Sequence, residues 1–242
     1  MTRSTYLRYE VLRNFRNWRF LFLTLAFPLV LYLAVASANR HATFNGIAFT
    51  VYFMAAMATL GTMASVVSSA AVIAADRSTG WTRQMRITPL TVGTYFGARV
   101  FNGYLRAVLT IVLVGLAGTA LGVRLSATQW VTVVGLLLVG LIPFAVLGIL
   151  LGHLLKADSS AVAMGGIVTL FALLGGVYGF QIATSGPMFQ VIKAIPSYWL
   201  VQAAKTALGH GGWPAEGWIV IAVWTLLLAA LAVFVYQRDT HR

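Results

Sequence analysis

Residues 130–155 read WVTVVGLLLVGLIPFAVLGILLGHLL, without one acidic residue, lysine or arginine. Crossing a hydrocarbon core of about 30 Å takes about 20 mostly apolar residues in a helix, and this run is long enough with turns to spare. Five more uncharged runs lie around it: Phe20 to Ala38, Ile47 to Ala75, Ala107 to Val123, Ala161 to Phe180 and Trp218 to Tyr236. The third is the least defined at its start, because Arg99 and Arg106 would have to snorkel to the headgroups if the helix began earlier. Across all 242 residues 60% are hydrophobic and 9% charged. A soluble domain carries about 25% charged residues, so this chain has too little polar surface to dissolve. The fold class expected is therefore an all-α polytopic membrane protein with six transmembrane helices in a single domain over residues 1–242.

The formal charge of +12 does not point to nucleic acid, since the basic residues are spread between long uncharged runs. Topology accounts for them better, because translocated loops carry few lysines and arginines. With the N-terminus inside, the cytoplasmic segments hold Arg3, Arg8, Arg13, Arg16, Arg19, Arg77, Arg83, Arg86, Arg99, Arg106, Lys156, Arg238 and Arg242; the external ones hold only Arg40, Arg124, Lys193 and Lys205. Both termini are expected in the cytoplasm and the chain in a bacterial inner membrane. The arginine-rich start with small residues at Ala34, Ala36 and Ala38 imitates a cleaved signal peptide, but the apolar run is long enough to span and carries Pro28 in its middle. Ahead of it, over residues 1–19, Leu7, Val11, Phe15 and Trp18 recur on one helical arc with arginines on the rest, an amphipathic helix for the cytoplasmic interface.

Two segments between spans are unusual. Residues 76–90 read DRSTGWTRQMRITPL. Ser78 or Thr79 can cap a short helix, and Pro89 disfavours helical geometry at Thr88. Trp81 and Met85, four apart, share a face that suits a groove on a partner protein, while Arg83 and Arg86 point elsewhere. An interfacial helix with Trp81 at headgroup depth would look the same in composition. The second segment, 181–217, is apolar yet broken by Pro187, Pro196 and Pro214. Ser197 can cap a helix from Tyr198 to Leu208 ended by Gly209, too short to cross a bilayer.

In the first segment Asp76, Arg77, Gly80, Arg83, Arg86, Thr88, Pro89 and Leu90 form a pattern that resembles the type-2 ABC (ATP-binding cassette) exporter permeases, of the bacterial drug-efflux kind. The resemblance departs where Asp76 stands for a more usual glutamate and Trp81 for a leucine. It implies that residues 76–90 are a coupling helix seated in a cleft of a separate ATPase. It further implies a pair of permease subunits, identical or homologous, over a pair of ATPase subunits, and ATP-driven export of an amphiphilic drug, antibiotic or lipid-like molecule. Short external re-entrant helices between spans five and six close the pathway in that family, a pattern that Pro196, Tyr198 and Trp199 match loosely.

The chemistry expected of the chain itself is transport and not catalysis. A phosphate-binding loop needs glycine before its lysine, yet Lys156, Lys193 and Lys205 follow Leu155, Ile192 and Ala204. ATP and magnesium are thus expected at the partner ATPase, with no cofactor or metal bound here. The four histidines match no ligand spacing, and the absence of cysteine excludes disulfides and thiolate sites. Glu10, Asp76, Asp158, Glu216 and Asp239 all fall at membrane edges or ends, which disfavours the rival reading of a gradient-driven transporter with ionisable groups at midplane. A membrane subunit that itself transports nothing is the other alternative. Glycines of the fifth span, Gly165, Gly166, Gly175, Gly176 and Gly179, read as close-packing positions, and Pro28 and Pro143 as kinks.

Overall fold

The computed structural model describes residues 10, 12, 18–44, 46–80, 91–178, 185–205 and 212–240. Helix α1 (Trp18–Ala38) leads through a two-residue antiparallel hairpin, β1 (Thr43–Phe44) and β2 (Ile47–Ala48), into α2 (Phe49–Ser69) and α3 (Ala71–Ser78). There follow α4 (Val92–Ala120), α5 (Ala127–Gly140), α6 (Ile142–Leu154) and α7 (Ala157–Leu174). The short α8 (Gly186–Lys193) and α9 (Pro196–Lys205) precede the last helix, α10 (Ala215–Thr240).

Among the described residues five helical stretches are long and apolar enough to cross a membrane: Phe49–Ser78, Val92–Ala120, Ala127–Leu154, Ala157–Leu174 and Ala215–Arg238. The apolar stretch of α1, Thr24–Ala38, is shorter than these. Trp18 and Arg19, expected in the interfacial helix, are the first residues of α1; the rest of that helix, apart from Glu10 and Leu12, which are helical, lies outside the described residues. The third span is corrected at its start. It begins at Val92, where the Thr91 side chain accepts a hydrogen bond from the Thr94 N–H, and so includes Arg99 and Arg106. Neither arginine snorkels: both are buried, at 3% and 4% exposure, inside the protein.

Two of the long stretches are broken helices. α2 passes to α3 at Ala70, and α5 to α6 at Leu141, just before Pro143, which supplies no N–H to the helix. Pro28, by contrast, sits in an unbroken α1. The Ala70 break is filled by α6, whose glycines let the backbones touch. A side chain at Gly152 would put its first carbon 2.7 Å from the Ala70 carbonyl oxygen, and one at Gly148 would come within 3.1 Å of the Val67 carbonyl.

Helix α2 is the axis of the bundle, packed on α1, α4, α6, α7 and α9. Of its most apolar window 78% is buried, against 11% for α10. The core contains Met54, Met57, Met63, Val66 and Val67 of α2 with Val114 of α4 and Phe144 of α6. α10 touches α6 along one side and turns Ile219, Leu226, Leu227 and Phe234 outward, a bulky aliphatic face suited to lipid chains. The fifth span ends at Leu174, so Gly175 and Gly176 lie beyond it, and Gly176 takes a left-handed φ of 78°. Gly165 and Gly166, expected to pack closely, have no atom within 4 Å of a would-be side chain among the described residues.

Because backbone atoms cannot retreat as a flexible side-chain tip can, Gly152→Val should lower stability by about 1–3 kcal/mol, whereas Gly135→Ala, at an open position, should change it by no more than about 0.5 kcal/mol. Thermal unfolding of the two variants in one detergent checks the difference.

Candidate functional site

The residues before position 81 are built by α3. The Ser78 hydroxyl donates to the Ala75 carbonyl, and the Thr79 hydroxyl is within reach of the Ala75 and Asp76 carbonyls. Both side chains therefore bond back into α3; the short helix they were expected to cap lies outside the described residues. Gly80 completes the stop, with φ 73° and its N–H donated to the Arg77 carbonyl 3.2 Å away. Trp81, Arg83, Met85, Arg86, Thr88, Pro89 and Leu90 lie outside the described residues.

Asp76 and Arg77, neighbours in the last turn of α3, reach in different directions. Asp76 is buried, and its Oδ2 accepts from the Tyr95 hydroxyl at 2.8 Å and from Arg99 Nη2 at 2.7 Å. Arg99 Nη1 donates to Glu10 Oε2, also at 2.7 Å. Tyr95 and Arg99 are four residues apart on one face of α4, and the guanidinium lies 5.0 Å from the centre of the Tyr95 ring. One guanidinium thus grips carboxylates from two other segments of the chain. Arg77 turns towards α6, where its Nη1 donates to the His153 carbonyl. That carbonyl is one of the last of α6 and would otherwise lack a helical donor, so a cation completes the negative end of the helix. The His153 ring is buried edge-on between Phe96 of α4 and Tyr236 of α10, its Nδ1 2.8 Å from the Ile149 carbonyl.

This junction gathers the ends of α3, α6 and α10, the start of α4 and the helical residue Glu10. Of the residues singled out in the sequence it brings in Asp76 and Arg77, with Gly80 at its edge. Glu10, Tyr95, Arg99 and His153 were not assigned to it. A signal for Arg99 was present, since an arginine inside a span demands an acid or a carbonyl; which acid it meets is a matter of tertiary contact.

The opposite end holds the residues expected to form an external gate. Pro196 is the first residue of α9, at the helix position that tolerates a missing N–H, and so takes the place expected for a Ser197 cap. Ser197 is buried within the first turn, its hydroxyl without a partner among the described residues. Tyr198 and Trp199 are buried too, their rings edge-to-face at 5.2 Å. The Trp199 indole N–H donates to the Lys193 carbonyl at 2.8 Å, and that of Trp224 to the Ala194 carbonyl at 2.7 Å, so α8 is fastened to both α9 and α10. From α2, the Tyr52 hydroxyl donates to the Gly176 carbonyl at 2.7 Å and that of Thr59 to the Leu200 carbonyl at 3.4 Å. Burial pushes the Tyr198 phenol above its usual pKa, with the Lys193 ammonium and a hydrogen bond with Gln202 acting against it. The three residues are thus brought together as the root of a short helical cap over α2, α5 and α7.

Between the two ends, α1, α2 and α7 flank a partly open pocket of about 430 Å³. Its walls include Phe27, Leu60, Met164 and Val168, with hydroxyls of Thr24 and Tyr178 and, among the described residues, no charged group.

The chain thus has the architecture of a multi-pass helical membrane protein. Residues 36–236 match the family described as ABC-2 family transporter protein, and the chain belongs to that family. It is the membrane permease part of an ABC transporter. A relative is the Bacillus subtilis (strain 168) protein YvfS, a transport permease by name, 24% identical over 232 residues that cover 95% of each chain.

Removing the guanidinium leaves two buried carboxylates facing each other. Arg99→Ala should cost about 3–5 kcal/mol of stability, while Tyr95→Phe, which removes one of the Asp76 donors, should cost about 1 kcal/mol; thermal unfolding that ranks the two in the reverse order would show that the charges are compensated from elsewhere.

Proposed function

We propose that the chain is the permease subunit of an ATP-driven exporter whose ATP, with magnesium, is bound and hydrolysed by a separate pair of ATPase subunits. The observation that carries this is a chain of the ABC-2 family whose every lysine lacks the glycine that a phosphate-binding loop requires. YvfS, a transport permease by name and matched over 95% of its own length, supports a permease of this size.

In this reading six helices cross the bacterial inner membrane, α1 being the sixth crossing, and both termini face the cytoplasm as the lysine and arginine distribution predicts. Residues 76–90, from Asp76 and Arg77 through Gly80 and Trp81 to Leu90, dock on the ATPase, with Trp81 and Met85 in its cleft and Arg83 and Arg86 at its rim. Thr88 and Pro89 return the chain to α4. A second permease subunit lies alongside, and Pro196, Tyr198 and Trp199 hold the external cap closed until ATP binding draws the ATPase subunits together. The cargo is an uncharged or weakly polar amphiphile, of the kind met in drug or antibiotic efflux. The apolar pocket between α1, α2 and α7, with hydroxyls and no ionised group among the described residues of its walls, supports that class.

Affinity capture of the tagged chain in mild detergent, with partners identified by mass spectrometry, should recover an ATPase bearing a phosphate-binding loop. The Trp81→Ala, Met85→Ala, Arg86→Ala triple variant should lose it. Failure to recover any ATPase with the parent chain across several detergents would overturn the exporter reading and direct attention to gradient-driven transport.

A further inference from the structure

Several hydroxyls inside the helices of this chain bond back to a carbonyl three or four residues earlier. Ser69 donates to Val66 and Ser160 to Ala157, three back, while Thr110 donates to Arg106 and Thr225 to Ile221, four back. Ser197 does not. It is fully buried in the first turn of α9 against the backbone of Gly175, where the first carbon of a side chain would fall 2.8 Å from its hydroxyl oxygen, and that hydroxyl has no partner among the described residues. The carbonyls three and four residues before it belong to Ala194 and Lys193. Both are already claimed, the Lys193 carbonyl by the Trp199 indole at 2.8 Å and the Ala194 carbonyl by the Trp224 indole at 2.7 Å. These are the two bonds that fasten α8 to α9 and α10. A carbonyl oxygen has room for a second donor, but with the indoles in place the hydroxyl reaches neither. A buried donor left in this way is a cost that native folds ordinarily avoid.

We propose that Ser197 is the reserve donor of the external cap: when the Trp199 or Trp224 indole lets go, the Ser197 hydroxyl takes the carbonyl that is released. One N–H leaves the oxygen and one O–H arrives, so the turn between α8 and α9 is never left with a buried carbonyl unbonded. In the fastened cap the cost falls on Ser197, and on release it is relieved, which narrows the free-energy gap between the two arrangements. Alanine at this position would remove the cost from the fastened cap and the donor from the released one. That release accompanies transport rests on the reading of Pro196, Tyr198 and Trp199 as an external gate.

Thermal unfolding of the full chain in one detergent tests the exchange through a double-mutant cycle. Ser197→Ala alone should melt at or above the parent, since it removes the stranded group. Trp224→Phe, which keeps an aromatic ring but no N–H, should lower the midpoint by about 3 °C more in the Ser197→Ala background than with Ser197 present. If the Trp224 variant does not fold, Trp199→Phe, run in the same way, decides the matter at the Lys193 carbonyl. Losses that simply add, or a Ser197→Ala chain that melts below the parent, would overturn the reserve donor. Cysteines placed at Met188 on α8 and Val131 on α5, both exposed, carry spin labels without background, because the chain has no cysteine of its own. In nanodiscs, with the ATPase partner bound and ATP trapped, the labelled parent should show a second, longer distance, and Ser197→Ala should lose most of it. An equal share of the longer distance in both chains would overturn the exchange as a step of opening. If ATP leaves the distance in the parent unmoved, the gate reading fails on its own, while the melting cycle still decides whether Ser197 takes the released carbonyl.

Discussion

A guanidinium with 3% of its residue surface exposed must find acceptors within the protein, and Arg99 finds two carboxylates from segments that nothing else in the sequence relates. Charge at that depth is tolerated only when paired and hydrogen-bonded. The need runs both ways, since Glu10 and Asp76 are themselves buried and Arg99 is the cation that faces both. Through this group α3, otherwise packed on α6 and α7, is joined to α4 and to Glu10.

Around that fixed point the bundle is assembled by fit more than by polarity. In a bilayer there is little hydrophobic gain when one helix leaves lipid for another, so association depends on close contact. The helices of this chain meet where glycine removes the obstacle: Gly152 and Gly148 against the Ala70 break, Gly103 against Ser69 and Val66, and Gly61 against Thr110 and Pro28. The break at Ala70 and the glycines of α6 are complementary, and the break turns α3, with Asp76 and Arg77, towards their partners. α10, packed mainly on α6, keeps bulky side chains on its open faces.

The two ends of the molecule solve the same problem in different ways. Helix termini leave carbonyls without donors, and at depth these must be met by protein. At the α3 end the donor is Arg77, a charge, which also ties the segment to the end of α6. At the α8 and α9 end the donors are the indoles of Trp199 and Trp224 and the hydroxyls of Tyr52 and Thr59, neutral groups carried on apolar bodies. A cap fastened by neutral donors to carbonyls can be released without stranding a charge, whereas breaking the Arg99 pairs would strand one.

Length and apolarity of the uncharged runs determined, without any coordinates, that the chain is helical and crosses a membrane repeatedly, because a backbone in hydrocarbon must bond to itself. The pattern from Asp76 to Leu90 likewise carried the resemblance to the ABC exporter permeases, and the family match over residues 36–236 agrees with that resemblance. What lies between those levels was not legible in the sequence. Where the third long helix begins could not be read, because arginines look like a boundary until their acids are known, and the acids come from positions 10 and 76. Nor could Ser197 be told from a cap, since a hydroxyl just before a helix and one inside its first turn have the same local sequence. Only the tertiary structure decided these points: burial turns each charge and hydroxyl into a demand for a partner, and which partner answers depends on which helices are packed together.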